Sequence, residues 1–412
     1  MKILFFTHYF PPEGNAPASR TYEHCVRWVR EGHEVTVITC VPNVPNGVPY
    51  EGYTNRLRAQ KETVDGIQVI RVWTLLAANA GFLKRILNYV SYMLTATWAG
   101  LWVKRPDVVV ATSPQFFCGW AGVLVQFFRR LPFVLEIRDI WPESIAAVGA
   151  MQRGLVIRVL EWLERRMYAS ADRIVTVGKG YRDNIAGKVK AKEISVIYNG
   201  VDGDQFRPDA EQNGEFDELK HDGQFLCVYA GTIGMAHGLE VVLDAAQILR
   251  DQGRNEIQFL LVGDGAQREN LERQAAERGL GSVRFLGRIG KQQMPAAIRV
   301  ADTVLVHLRA SDLFETVVPS KIFESMAMAK PIIMGVRGES AEILRSANAS
   351  MDMSPGDPAS LVECVTRLCD DRQHYAALCK NGREFVLSGY NRDVFAKEML
   401  ETLQSTVIAE TS

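Results

Sequence analysis

The chain has 412 residues, 47% of them apolar and 23% charged, which is the usage of a folded globular protein and excludes a disordered or collagen-like chain. That length exceeds what one hydrophobic core supports, so two domains are expected. The formal net charge of -1 hides an asymmetry: residues 1–200 carry 25 Lys+Arg against 16 Asp+Glu, whereas residues 201–412 carry 22 against 32. A basic first half suits an anionic surface or ligand. Seven scattered cysteines, with no C-x-x-C pair and no histidine cluster at zinc spacing, read as reduced core residues of a cytosolic protein. The opening MKILFFTHYF lacks a long apolar core with a small-residue cleavage site, so no export is expected.

In chain order, β-rich runs alternate with helical stretches: KILFF, a helix over 16–31, EVTVITC, IQVIRVW, a helix over 82–103, DVVVATSP, a helix over 116–130, FVLEIRD, a helix over 153–169, RIVTVG and ISVIYN. The alternation predicts a parallel sheet covered by helices on both faces. A polar, turn-rich segment at 200–224, the expected hinge, precedes a second series. It runs FLCVYAG, helix 238–251, IQFLLVGDG, helix 266–278, VRFLG, helix 291–301, TVLVHL, helix 320–329 and PIIMGV. Helices near 359–371, 373–387 and 391–408 close the chain. The reading is an α/β protein of two Rossmann-like, doubly wound domains facing a central cleft, because ligands of such sheets bind beyond the carboxyl ends of the strands. The expected bounds are 1–200 and 201–388, with a C-terminal helix at 389–412 packing back on the first domain.

Residues 86–103, ILNYVSYMLTATWAGLWV, contain no charge, the length at which a membrane span must be weighed. A span there would separate strands that belong in one sheet, and Asn88, Ser91, Thr95 and Thr97 dilute the run. The remaining readings are a buried or half-buried helix and an interfacial helix, the latter because Lys84 and Arg85 stand at one end and Trp98, Trp102, Lys104 and Arg105 at the other.

The stretch LFETVVPSKIFESMAMAKPII, 313–333, sets polar residues against an apolar helix. Pro319 and Ser320 read as the end of a loop and an N-cap, which places Lys321 in the first helical turn and Glu324 one turn deeper on nearly the same face. Phosphate oxygens suit Lys321 and the free N–H groups of a helix start, and a ribose diol suits Glu324; the plain alternative is an i,i+3 salt bridge on a solvated face. Arg138 and Asp139 lie at the carboxyl end of a predicted strand, where they orient hydroxyls or form a buried ion pair. Glu143 is a further candidate. His8, His33 and His307 read as packed or capping residues and give no case for a metal.

VPSKIFESMAMAKPII, together with YAGTIGMAHGLE, LLVGDG, IYNGVD and LEIRDIWPES, resembles the retaining nucleotide-sugar glycosyltransferases of family 4, over essentially the whole chain. The resemblance implies the two-domain GT-B fold and is closest to transferases of bacterial O-antigen, capsule and colanic-acid-type polysaccharides, N-acetyl-fucosaminyltransferases among them. It implies that Glu324 is the second glutamate of an E-x7-E motif and binds the nucleotide ribose. Thr316 stands where the first glutamate belongs, and Glu315 is one residue out of register. Thr316, Val317, Val318, Pro319 and Ser320 then offer backbone N–H groups to the donor diphosphate and sugar. The family's arginine and lysine at the start of the second domain fall here on Thr232 and His237, which leaves the diphosphate charge to Lys321; Gly231, Gly234 and Gly238 let backbone approach it. In the first domain Gly14 and Asn15 match a glycine-containing loop facing the cleft, and Arg138–Asp139 stands where many members have His-Asp.

The implied reaction moves a sugar from a UDP-sugar, such as UDP-N-acetyl-fucosamine, to a polyprenyl-diphosphate-linked saccharide with retention, by front-face attack in which a diphosphate oxygen takes the acceptor proton. No metal or other cofactor and no nucleic-acid partner are expected; an anionic membrane surface on the cytoplasmic side is. Two alternatives stand beside it: a UDP-sugar 2-epimerase of the same fold, and a non-catalytic sugar-nucleotide-binding protein, which the missing first glutamate makes conceivable.

Overall fold

The computed structural model describes residues 1–44, 46–76, 82–144, 154–189, 193–209, 214 and 216–411. It divides into two units, Met1–Asn199 with Asp393–Ser412, and Gly200–Arg392. The first unit carries strands β1 (Lys2–Phe6), β2 (Glu34–Cys40), β3 (Gln60–Val64), β4 (Ile67–Val72), β5 (Val108–Thr112), β6 (Phe133–Ile137), β7 (Arg173–Thr176) and β8 (Glu193–Val196). They form one sheet in the order β3-β4-β2-β1-β5-β6-β7-β8. β5 and β6 are buried at every position, as expected of central parallel strands covered on both faces. The helices are α1 (Ala16–Arg30), α2 (Phe82–Trp102), α3 (Phe116–Arg129), α4 (Leu155–Ser170) and α5 (Lys179–Ala186).

Two elements of this unit differ from the sequence reading. β3 is an extra edge strand, antiparallel to β4 with Lys61 opposite Ile70, so the sheet is not purely parallel. Its sequence QKETV has no large apolar residue, because an edge strand is paired on one side only. α5 buries only Tyr181 and Ile185, too small an apolar stripe to register as a helical period. The expected helix start at 153 lies outside the described residues, as do 210–213 and 215 of the expected hinge.

The second unit has strands β9 (Phe225–Ala230), β10 (Ile257–Val262), β11 (Val283–Leu286), β12 (Thr303–His307), β13 (Ile332–Gly335) and β14 (Ser350–Asp352). All are parallel, in the order β11-β10-β9-β12-β13-β14. That is the doubly wound order, reversing between β9 and β12. The covering helices are α6 (Glu240–Asp251), α7 (Arg268–Glu277), α8 (Met294–Arg299), α9 (Lys321–Ala327), α10 (Glu339–Ala347), α11 (Pro358–Asp370) and α12 (Arg372–Gly389). α10 and β14 were not expected, and the helix expected over 291–301 opens as a 3-10 turn before α8.

The last helix, α13 (Arg392–Thr411), belongs to the first unit from Asp393 onward. There Trp28 Nε1 donates to the Ala396 carbonyl at 2.9 Å and Arg27 pairs with Asp393 at 2.5 Å. α2 is half-buried: Tyr92 and Ala96 are in the core, while Trp98 and Trp102 are 66% and 73% exposed. Among the described residues no helix is long and apolar enough to cross a membrane.

Candidate active site

In the second unit, the residues after β9 and β12 frame the switch point of the sheet. Gly231, directly after β9, has φ +151 and turns its carbonyl toward Gly263 after β10, where a Cβ would stand 1.8 Å from that oxygen. Only two glycines let these strand ends close on each other. A Cβ on Gly231 itself would lie 2.8 Å from Lys321 Nζ, so the bare backbone makes room for the lysine.

Lys321 opens α9, whose Ile322, Phe323 and Met326 are buried and whose Phe323 ring stacks on Tyr390 at 4.7 Å. That packing fixes the helix and leaves Lys321 half-buried, its Nζ 4.3 Å above the Tyr229 ring centroid. Burial pushes the Lys321 ammonium down to about 8, with Glu324 opposing the shift only partly. Among the described residues Lys321 has no ion-pair partner; Glu324 reaches Arg392 instead, at 3.5 Å. The i,i+3 salt bridge is therefore absent, and a poorly solvated cation stands at the switch point with only an aromatic face beneath it.

The loop before α9 differs in detail from expectation. The N–H groups of Thr316 and Val317 already donate to the carbonyls of Leu313 and Phe314 in a 3-10 turn, and Pro319 has none to give. Val318 and Ser320 keep amides without a backbone partner among the described residues. Ser320 occupies the N-cap position but its side chain makes no capping bond. α9 spans seven residues, so Lys321 rather than a helix dipole supplies the positive charge.

Thr232 is exposed, and its carbonyl accepts from the Tyr229 hydroxyl at 2.7 Å. His237 stands edge-on to Tyr229 at 6.0 Å; burial and the nearby Lys321 push its imidazole down to about 4, so it is neutral near pH 7. His307 is also neutral, because its Nδ1–H donates to the His237 carbonyl at 2.6 Å while its Nε2 accepts from Gly356 N–H at 2.9 Å. Tyr229 and Arg392 were missed in the sequence. Tyr229 stands two residues before Gly231 and reads as strand core, and nothing local ties Arg392 to Glu324 across 68 residues.

In the first unit, Asn15 caps α1 through a bond from Ala18 N–H at 2.9 Å, and Gly14 is exposed with open space around it. Arg138 and Asp139 follow β6 but do not pair. Arg138 donates to the carbonyls of Ala16 and Pro17 at 3.1 and 3.2 Å, tying the start of α1 to the end of β6. Asp139 accepts from Ser144 Oγ at 3.3 Å, and burial raises its carboxyl to about 6. Glu143 is engaged elsewhere, with Lys188 at 2.7 Å and Asn184 at 3.1 Å.

Beneath them lies a pair the sequence reading missed, Arg20 Nε to Glu136 Oε1 at 2.8 Å, both buried. Arg20 also donates to the carbonyls of Tyr198 and Ile197, and Thr112 Oγ1 donates to Glu136 Oε2 at 2.5 Å. Burial works against the Glu136 charge, yet Arg20, Arg138 and His24 with the Thr112 bond hold its carboxyl down at about 2. Arg20 reads in sequence as part of a solvated helix face, and its partner lies 116 residues away. Among the described residues no three His, Cys, Asp or Glu side chains are placed to share a metal ion.

Two family models match the chain: a glycosyl transferase 4-like domain over residues 15–200 and a glycosyl transferases group 1 domain over residues 224–371. The chain is 26% identical over 340 residues to the putative colanic acid biosynthesis glycosyl transferase WcaI of Escherichia coli, covering 80% of this chain and 81% of that protein. It is 25% identical over 272 residues to the probable glycosyltransferase WbjE of Pseudomonas aeruginosa, covering 65% and 67%. Its fold superposes on that of Anabaena Alr3699/HepE, solved in complex with UDP and glucose, with a TM-score of 0.72 at 18% identity, covering 98% of this chain and all of that one. With two Rossmann-like sheets, parallel but for the β3 edge, and both family domains in order, the chain belongs to the family 4 glycosyltransferases of GT-B fold, related to enzymes of surface-polysaccharide synthesis.

Proposed function

We propose that the protein transfers a sugar from a UDP-sugar to a polyprenyl-diphosphate-linked saccharide, with retention of anomeric configuration, in bacterial surface-polysaccharide synthesis. One observation carries the reading: the half-buried Lys321 ammonium, without a carboxylate partner among the described residues, beside the open backbone of Gly231 at the switch point. A desolvated cation there favours a ligand that brings its own negative charge, and a diphosphate leaving group develops more of it as the glycosidic bond breaks. The neighbouring HepE structure with UDP and glucose supports a UDP donor, and WcaI, named for colanic acid biosynthesis, supports a polysaccharide product.

In this reading Lys321 and the Val318 and Ser320 amides meet the diphosphate. Glu324, steadied by Arg392, accepts from the ribose diol. Gly231, Thr232 and His237 line the same end of the sheet, with His237 neutral and therefore not competing for the diphosphate. In the first unit, Asp139 orients an acceptor or sugar hydroxyl, Gly14 and Asn15 form the adjoining loop, and Arg138 holds that loop in place. Glu143, held by Lys188, braces the segment after Asp139 rather than meeting substrate.

Incubating the protein with a panel of UDP-sugars, UDP-N-acetyl-fucosamine first, and a polyprenyl-diphosphate-linked sugar tests this directly. Nucleotide release with an α-linked product from an α-linked donor is expected; epimerised donor, an inverted product, or no release on any donor rejects the reading. Because Asp139 is raised to about 6, turnover should fall as pH drops through 6, whereas Asp139→Asn should be slower and flat from pH 5 to 7 with unchanged UDP affinity.

The exposed Trp98 and Trp102 and the basic Lys84, Arg85, Lys104 and Arg105 support docking of the first unit on an anionic cytoplasmic membrane face. Each cation near such a surface contributes about 1 kcal/mol. Co-sedimentation with vesicles should rise with anionic lipid, fall with salt, and weaken when these four cations are neutralised. Equal partitioning onto neutral and anionic vesicles would remove the electrostatic part.

A further inference from the structure

Between the β3–β4 hairpin and the second half of α2 runs an open groove of about 750 Å³, formed wholly within the first unit. Ile70 contributes to its floor and Leu94, Trp98 and Trp102 to its α2 wall, with the two indoles 5.6 Å apart. Arg58, Lys61 and Lys104 stand along it, and no acidic residue lines it. Apolar side chains this exposed are unfavourable in water unless something covers them: Leu57 is 83% and Trp102 73% exposed.

Strand register gives the groove a direction. Lys61 lies opposite Ile70 and Gln60 opposite Arg71 in the antiparallel pair, so Arg58 falls beyond the carboxyl end of β4. β4 runs parallel to β2, and β2 to β1, so this is the end of the sheet that carries Asn15. It also carries Asp139, because β1, β5 and β6 are parallel. α2 runs the opposite way. Near its start Asn88 and Ser91 bond the backbone of Leu75, just past β4, and its end leads into β5 at Val108. Arg58 and Lys61 therefore sit at the acceptor end of the unit, and the indoles point away from it.

We propose that this groove binds the isoprenoid tail of a polyprenyl-diphosphate lipid, with the diphosphate at Arg58 and Lys61 and the hydrocarbon running over Ile70 and Leu94 to Trp98 and Trp102. The assignment rests on the lipid-linked acceptor of the preceding reading and adds a tail-recognition site to it. Three features choose this occupant. The concavity and volume suit a single hydrocarbon chain, drawn from the membrane on which the same face docks. Arg58 and Lys61 at one end, then Ile70, Leu94 and the indoles, with Lys104 only past Trp102, match a charged head on a long apolar tail. A second copy seated on the same patch would set cations against cations with no carboxylate among the lining residues to answer them.

The test uses the full chain and farnesyl diphosphate, a soluble isoprenoid diphosphate that needs no bilayer, read by titration calorimetry and by photolabelling with a benzophenone analogue. Saturable binding is expected, with label on the α2 segment around Leu94 to Trp102. Ala99→Phe, which fills the groove from a half-buried helix position along its lining, and Lys61→Glu, which reverses a head-end charge, should each weaken binding roughly tenfold or more while UDP affinity and the melting temperature stay put. Inorganic diphosphate should not displace the probe, and dodecyl phosphate should bind less tightly. No saturable binding, unchanged affinity in both variants, equal binding of dodecyl phosphate, or a dimer that Ala99→Phe dissolves each overturns the proposal. Turnover separates the two readings. Transfer to a short-tailed acceptor with no farnesyl diphosphate binding sinks the groove alone, and farnesyl diphosphate binding without transfer to any acceptor sinks the transferase reading alone.

Discussion

Lys321→Met should make the protein more stable and weaken its hold on UDP. The lysine is pushed down from 10.5 to about 8, so below pH 8 the folded state holds an ammonium it solvates poorly. The unfolded chain binds that proton more tightly, and the difference corresponds to about 3 kcal/mol of lost stability, complete below pH 8 and fading as pH rises toward 10.5. Met keeps much of the side-chain volume and a favourable contact with the Tyr229 ring while removing the charge. Calorimetry at pH 7 should therefore show a melting temperature several degrees higher for the variant, and the gain should shrink at pH 10. UDP affinity should fall by about 1.5–3 kcal/mol, or roughly ten- to a hundredfold, as expected for a charge-assisted bond. A variant that melts lower and binds UDP normally would make Lys321 a structural residue.

Arg20→Met should have the opposite character, damaging stability with no direct contact to ligand. Its partner Glu136 is buried and ionised, and removing the guanidinium takes away its ion-pair partner, leaving the more weakly acting Arg138 and the Thr112 hydroxyl to offset the charge. Breaking such a pair from one side costs about 3–5 kcal/mol. Adding Glu136→Gln to Arg20→Met should restore part of the loss, because the poorly compensated charge goes with it. The pH dependence has a definite sign. A carboxyl held at about 2, against 4.5 in the unfolded chain, stabilises the fold above pH 4.5 and loses that contribution as pH falls through about 2. Urea unfolding at pH 7 should show the full loss in Arg20→Met, with a weaker acid dependence than the wild type. A change below about 1 kcal/mol would mean that water or another cation compensates Glu136.

The two sheets were legible because their central strands are long Val, Ile, Leu and Phe runs bounded by turns, a signal local to each run. β3 and α5 were not, because each buries little of one short face; α10 was not, because its buried stripe is short and includes the polar or small Ser340, Ala341 and Ala347. The same division holds at the site. Lys321, Glu324 and the glycines of YAGTIGMAHG were readable from spacing and from resemblance to a family. The Tyr229 ring beneath Lys321, the hold of Arg392 on Glu324, the Arg20–Glu136 pair and the separation of Arg138 from Asp139 depend on three-dimensional register that no short window encodes.

The most direct measurement is the dissociation constant of UDP between pH 7 and 9.5, made on the wild type and on Lys321→Arg. If the diphosphate is held by an ammonium that titrates near 8 when the site is empty, wild-type affinity should be level below pH 8 and then fall toward tenfold per unit above it, while the arginine variant stays level throughout. A wild-type affinity that does not change across this range, or falls identically in both proteins, would contradict a donor site built on Lys321.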